Sequence, residues 1–158
     1  MTASGTTTSK PIILAAFVAA ALGLAVTASS ASDLDDKVAR LIEQALDADT
    51  QAQAFVELEA LECEAVPAII RRLDDRRPLP LHQISLENKS PDAFEGLRHY
   101  GPEQVVDALA AILNQVTGQS FGFIYNGGSD DERSSTVKGW KEYLNRVGPE
   151  GVCGSHGT

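Results

Sequence analysis

An all-α fold of about five to six helices is the class this chain predicts, and three features predict it. In residues 55–75, FVELEALECEAVPAIIRRLDD, Phe55, Leu58 and Leu61 fall on one helical face, and Val66, Ile69, Ile70 and Leu73 repeat the pattern after a tight turn. Val105, Val106, Leu109, Ile112, Leu113 and Val116 form the strongest stripe of the chain and stop at Gly118. Ser129-Asp130-Asp131-Glu132 matches the capping box, in which serine and glutamate satisfy each other's orphan backbone donors at a helix start. No segment shows the sustained alternation of a half-buried strand.

Before the first of these helices, residues 1–31 hold a single charged side chain, Lys10. It precedes an apolar run, PIILAAFVAAALGLAV, and the small-residue tract TASSAS. A positive start, an apolar middle and a small-residue exit compose a secretory signal, with cleavage expected after Ala28 or Ala31. The run is 16 residues long, short of the roughly 20 that span a bilayer as a helix. Retention as an anchor is the competing reading. The expected organisation is a signal peptide over 1–31, a helical domain over 32–148 and a flexible tail over 149–158, in a periplasmic or extracellular protein.

Ser32 is the expected N-cap of the first mature helix, and the helix dipole favours Asp33, Asp35 and Asp36 in its first turn. Leu34, Val38, Leu41, Ile42 and Ala45 form its stripe, ending near Asp47. Asp49-Thr50 opens the second helix. The turn after it is expected at Cys63-Glu64-Ala65, which places Pro67 in the first turn of the third helix, where its missing N–H has no partner to lose. Residues 76–92, RRPLPLHQISLENKSPD, carry three prolines and read as a long loop. Its leucines and isoleucine imply that parts of it lie across an apolar surface. Ser90 and Pro91 are expected to open a short helix bearing Phe94 and Leu97, and Gly101-Pro102 to open the next in the same way. A second irregular segment, QSFGFIYNGG, leads to the final helix, which carries Val137, Trp140, Tyr143, Leu144 and Val147 and ends at Gly148. The spacing of Trp140 makes it a core anchor.

Without residues 1–31 the chain has 12 Lys+Arg against 22 Asp+Glu, a net charge of −10. Phosphate recognition needs clustered cations, so nucleic acid and anionic membrane are excluded as partners. Two cysteines, Cys63 and Cys153, leave two readings open: one bridge in an oxidising compartment, or two unrelated thiols. His82, His99 and His156 show no metal-ligand spacing, and the acidic clusters do not match a calcium loop. Nucleophile-elbow, redox and phosphate-loop motifs are missing as well, so no cofactor or metal is expected. Arg71, Arg72, Arg76 and Arg77 are the sole basic concentration. They complement a helix C-terminus on one reading and recognise an acidic partner on the other.

The segment LECEAVPAIIRRLDD resembles the HEAT-type helical hairpin, in which a helix and a short turn lead to a second helix of pattern A-V-P-x-(L/I)-(I/L). The likeness is clearest over residues 50–75 and weaker over 91–117, where YGPEQVVDALAAIL resembles another second helix. The TGQSFGFIYNG segment with the capped tryptophan helix is similar to the C-terminal part of HEAT-like proteins exported by some bacteria. Cys63 and Glu64 stand where that family often has glycine. The resemblance implies a short, irregular stack of helical hairpins serving as a binding scaffold, and it implies no catalytic residues.

The leading expectation is therefore a non-enzymatic exported scaffold that binds a protein or peptide. Its contact residues are expected to be Arg76, Arg77, Leu79, Leu81 and His82 of the long loop with Phe123 and Tyr125 of the aromatic segment. The competing expectation is a small hydrolase or ligand-binding enzyme that uses His82 or His99 with a nearby carboxylate.

Overall fold

The computed structural model describes Met1, residues 21–89 and residues 94–153. Five helices carry this part of the chain: α1 (Ala21–Gln44), α2 (Gln51–Glu59), α3 (Glu62–Arg71), α4 (Val105–Thr117) and α5 (Asp130–Val147). Between α3 and α4 the chain forms a two-stranded antiparallel sheet, β1 (Ile84–Glu87) with β2 (Leu97–Tyr100), and Pro149–Gly151 closes it with a 3-10 turn. The class is mainly helical, and the all-α expectation is corrected by the sheet. β1 alternates inward Ile84 and Leu86 with Ser85 and Glu87, too briefly to register as a pattern. β2 buries no side chain fully, so only its partner makes it a strand. Leu97, expected on a short helix, lies on β2, and the Ser90-Pro91 start of that helix lies outside the described residues.

The core gathers around α4, whose residues are all buried from Val105 through Leu113. A helix apolar on every side belongs in the middle of a fold rather than on its surface. α3 packs against both α4 and α5, while α1 lies over α2 and α3. Gln104, in extended conformation, caps α4, so Pro102 lies upstream of the helix instead of in its first turn. Gly118 ends it at φ +67°, a left-handed conformation that glycine adopts without a Cβ penalty. α5 begins with the expected box: Ser129 N–H donates to Glu132 Oε2 at 2.7 Å, and Glu132 N–H to Ser129 Oγ at 3.3 Å. On α5, a Cβ at Gly139 would come within 2.6 Å of Phe121 Cβ. The glycine lets Phe121 set its ring edge-on to Trp140, with centroids 4.8 Å apart.

Besides the start of α4, three helix boundaries differ from the sequence reading. α1 runs unbroken through Ser32, because its alanine-rich N-terminal half propagates the helix and leaves no end to cap. Asp35 therefore serves another purpose, pairing with Arg71 of α3. α1 also stops at Gln44, and Asp47 Oδ1 accepts the Asp49 N–H at 2.8 Å in the turn that follows. Between α2 and α3 the turn falls at Ala60-Leu61, with Glu62 taking the positive φ of +49°. Pro67 then sits beyond the first turn of α3 and leaves the Cys63 carbonyl without its usual helical donor.

Of the two cysteine readings, the structure has the bridge: Cys63 and Cys153 are disulfide-bonded with Cα atoms 5.7 Å apart. Closing a loop over a separation of 90 residues stabilises the fold by about 4 to 5 kcal/mol in the chain-entropy treatment. The segment after Val147 is thus packed as far as Cys153 instead of flexible from 149. Val152 is buried, and its carbonyl accepts from Tyr143 Oη at 2.7 Å. No helix of the described residues is long and apolar enough to cross a membrane.

Candidate functional site

Gln51, Phe55, Leu58 and Glu59 fall at i, i+4, i+7 and i+8 along α2, which puts two polar side chains on its apolar face. All four are buried. Buried polar groups need partners, and these find theirs in the segment that leads into and through β1. Gln51 Nε2 donates to the Leu81 carbonyl at 2.6 Å, and Gln51 Oε1 accepts the Leu81 N–H at 3.0 Å. Eight residues further along α2, Glu59 Oε2 accepts the Glu87 N–H at 3.1 Å. Burial pushes the Glu59 carboxyl above its usual range, and its other oxygen, Oε1, is buried without a hydrogen bond.

α2 thus grips residues 81–87 near both ends, and a cleft of about 590 Å³ opens between the helix and residues 80–85. Buried Phe55 and Ile84 line it, and half-exposed Val56 and Leu81 reach its surface beside His82 and Ser85. A wider open depression of about 910 Å³ lies beside the disulfide. Arg71 on its wall is already held by Asp35 through three contacts of 2.8, 2.9 and 3.0 Å.

Of the residues expected to make contacts, Leu81 and His82 lie at the cleft and Phe123 stands 86% exposed. Two others are corrected by their burial. Leu79 is 3% exposed because its N–H pairs with the Glu103 carbonyl at 2.9 Å, beside the bridge between Pro78 and Gln104, and this turns its side chain into the core. Tyr125 is buried edge-on to Tyr100 with its hydroxyl 2.9 Å from Ser120 Oγ, and desolvation raises its phenol pKa.

Both expected arginines have partners within the chain. Arg77 forks onto Glu43 at 2.9 and 3.0 Å and onto Asp75, joining α1 to the end of α3. The Arg77 hydrogen bond holds Glu43 below the ordinary carboxylate range; at Asp75 burial pulls the other way and the Arg77 bonds prevail. Arg76 is half-buried against Ser134 at 3.4 Å. Arg71 and Arg77 of the basic concentration are thus taken up by ion pairs at the surface, while Arg72 beside them is exposed.

The two irregular segments do converge. Asn126 Oδ1 accepts the Gly101 N–H at 2.7 Å, and the His82 carbonyl lies 3.6 Å from where a Gly101 Cβ would stand. His99 is exposed on β2 with Nδ1 2.8 Å from Ser85 Oγ. Neither His82 nor His99 hydrogen-bonds a carboxylate among the described residues. No group of three His, Cys, Asp or Glu side chains that could hold a metal occurs among the described residues.

Sequence reasoning missed a buried ionic cluster beneath this region. Asp107 is fully buried and Arg133 is 4% exposed. Arg133 Nε and Nη2 each meet a different Asp107 oxygen at 2.8 Å, and Nη2 also reaches Glu103 at 2.9 Å. Asp107 Oδ2 further accepts the Glu103 and Gln104 N–H groups, both at 3.1 Å. Gln104-x-x-Asp107 is a variant of the capping-box pattern and was visible in the sequence. Its partner on α5 was not. No family model matches this chain, and neither a curated protein nor a solved structure matches it.

Proposed function

We propose that this protein is an exported, non-enzymatic scaffold, a short and irregular HEAT-like stack, that binds a protein or peptide partner. The α2–α3 hairpin supports the repeat reading, and the leader together with the Cys63–Cys153 bridge supports export to an oxidising compartment. One observation carries the binding reading: the cleft between α2 and residues 80–85. It presents Val56 and Leu81 over an apolar floor, on backbone that Gln51 holds fixed. Such a surface matches the apolar anchor of an interface, pre-organised so that little ordering is left for the partner to drive.

The test is crosslinking in an envelope extract with tagged wild-type chain and a Leu81→Glu variant. A partner retained by the wild type is expected to bind the variant about thirtyfold more weakly, equivalent to the ~2 kcal/mol of a hot-spot residue. The variant's helical content and melting temperature should be unchanged, since Leu81 is half exposed. Identical capture by both chains sinks the proposal.

A further inference from the structure

We infer that the free edge of β2 docks an extended segment of a partner protein, paired strand to strand, with a carboxylate opposite Arg98. The inference rests on the scaffold reading for the class of ligand and supplies a second, backbone-reading contact.

The phase of the ladder fixes which groups are free. Ile84 opposes Tyr100, Ser85 His99, Leu86 Arg98 and Glu87 Leu97. In the same register the Asn88 N–H donates to the Gly96 carbonyl at 3.0 Å, so Asn88 and Gly96 are a hydrogen-bonded pair. Such pairs recur every second residue, which makes Ser85–His99 and Glu87–Leu97 the non-bonded pairs, with their N–H and C=O groups aimed outward. Two independent contacts agree. The Glu87 N–H does point out of the sheet, to Glu59 at 3.1 Å. The side chains of Ser85 and His99 meet at 2.8 Å, the close approach typical of a non-bonded pair.

On β2 the outward groups therefore belong to Leu97 and His99, and no backbone group of the described residues pairs with them. The residues around them are exposed: Leu97, Arg98, His99 and, just before the strand, Phe94. A strand edge with two residues free in the right phase is a template for strand addition.

Charge selects the occupant. Arg98 bonds the Asn88 side chain at 3.0 Å and forms no ion pair among the described residues. In a second copy paired antiparallel so that both free residues of each strand are used, Leu97 opposes His99 and Arg98 falls directly opposite Arg98. Like charges so placed are destabilising, whereas a carboxylate there is favourable. The edge thus fits an extended peptide with an acidic residue between two apolar ones, and it disfavours its own copy.

The experiment titrates the full chain with a capped synthetic peptide of alternating valine and glutamate, and follows backbone amides by NMR. Leu97 and His99 amides are expected to shift and gain exchange protection on binding. Leu97→Pro removes an outward donor but no β1–β2 hydrogen bond, and is expected to weaken binding about tenfold. Leu97→Ala, which keeps the donor, should weaken it less. The same peptide N-methylated at alternate residues, added to unaltered protein, should lose binding independently of any effect of proline on folding.

Binding that ignores both Leu97→Pro and N-methylation overturns the edge proposal. If that binding is instead lost on Leu81→Glu, the cleft reading survives while the edge does not. Self-association abolished by Leu97→Pro overturns the heterologous occupant.

Discussion

α4 and the β1–β2 pair adjoin one another, yet they are held by opposite means. α4 is covered on all sides from Val105 through Leu113, and its one buried charge is neutralised by Arg133. The β pair buries Ile84 and Leu86 and is otherwise tied at single polar points: Glu59 to the Glu87 N–H, Gln115 to the Tyr100 hydroxyl, and Gln51 to Leu81 just ahead of β1. A structure held by enveloping burial opens only when the whole domain does. One held at a few polar points can open by itself, and such low-stability units are where binding surfaces are commonly found. The cleft and the free strand edge both belong to the second kind.

The comparison breaks most visibly at α4. Asp107→Ala leaves the buried Arg133 with only the half-exposed Glu103 as a partner and is expected to cost about 3 kcal/mol. Denaturant unfolding should show it, with exchange protection falling together in α4 and the β pair. Combining Asp107→Leu with Arg133→Met should recover most of the loss, since well-packed apolar residues often replace a buried ion pair without harm. A double variant as unstable as the single one would mean that α4 is held by something other than this pairing.

What could be read from the sequence divides along the same line. Helices whose apolar residues recur over several turns were visible, as were devices local in sequence, such as Gly118 and the Ser129–Glu132 box. α2 was visible too, but Gln51 and Glu59 were passed over although both share a face with Phe55 and Leu58. Polar residues on an apolar face announce a buried partner without saying where it is. The partners here, the Leu81 and Glu87 backbones, are 30 and 28 residues away. β2 could not be read at all, because its identity lies in pairing rather than in its own residues. The same limit hid Arg133 from Asp107 and turned an arginine run into staples to Glu43 and Asp35. Leu79 and Tyr125 looked like loop residues because their burial is decided by contacts far along the chain.

A middle-sized effect is expected where the β pair meets α2. Gln51→Ala strips both the Leu81 N–H and its carbonyl of their partners, at about 1 to 3 kcal/mol. The loss should be local. Amide exchange at Leu81 and through β1 is expected to accelerate while α4 keeps its wild-type protection. Equal acceleration in α4 would show that the two regions open as one unit and that the distinction between them is wrong.

The smallest effect is the most specific, because it separates charge from contact at the second grip. Burial raises the Glu59 pKa above its unfolded value of about 4.5, against the pull of the Glu87 N–H and of Lys89. A carboxyl shifted upward binds its proton more tightly in the folded protein. Its contribution to stability is therefore full below the unfolded pKa and is lost as pH rises through the folded value. Near neutral pH the ionised carboxylate sits buried with Oε1 unbonded, where an amide is less costly to desolvate. Glu59→Gln should accordingly melt a few degrees higher than wild type at neutral pH, for a gain of about 1 kcal/mol in a domain of this size. The difference should shrink as pH falls through the raised pKa, because wild-type Glu59 then takes up its proton. Melting curves across that range measure it. A difference that stays constant with pH would assign the grip at Glu59 to shape rather than charge, and would make it the same kind of contact as Gln51.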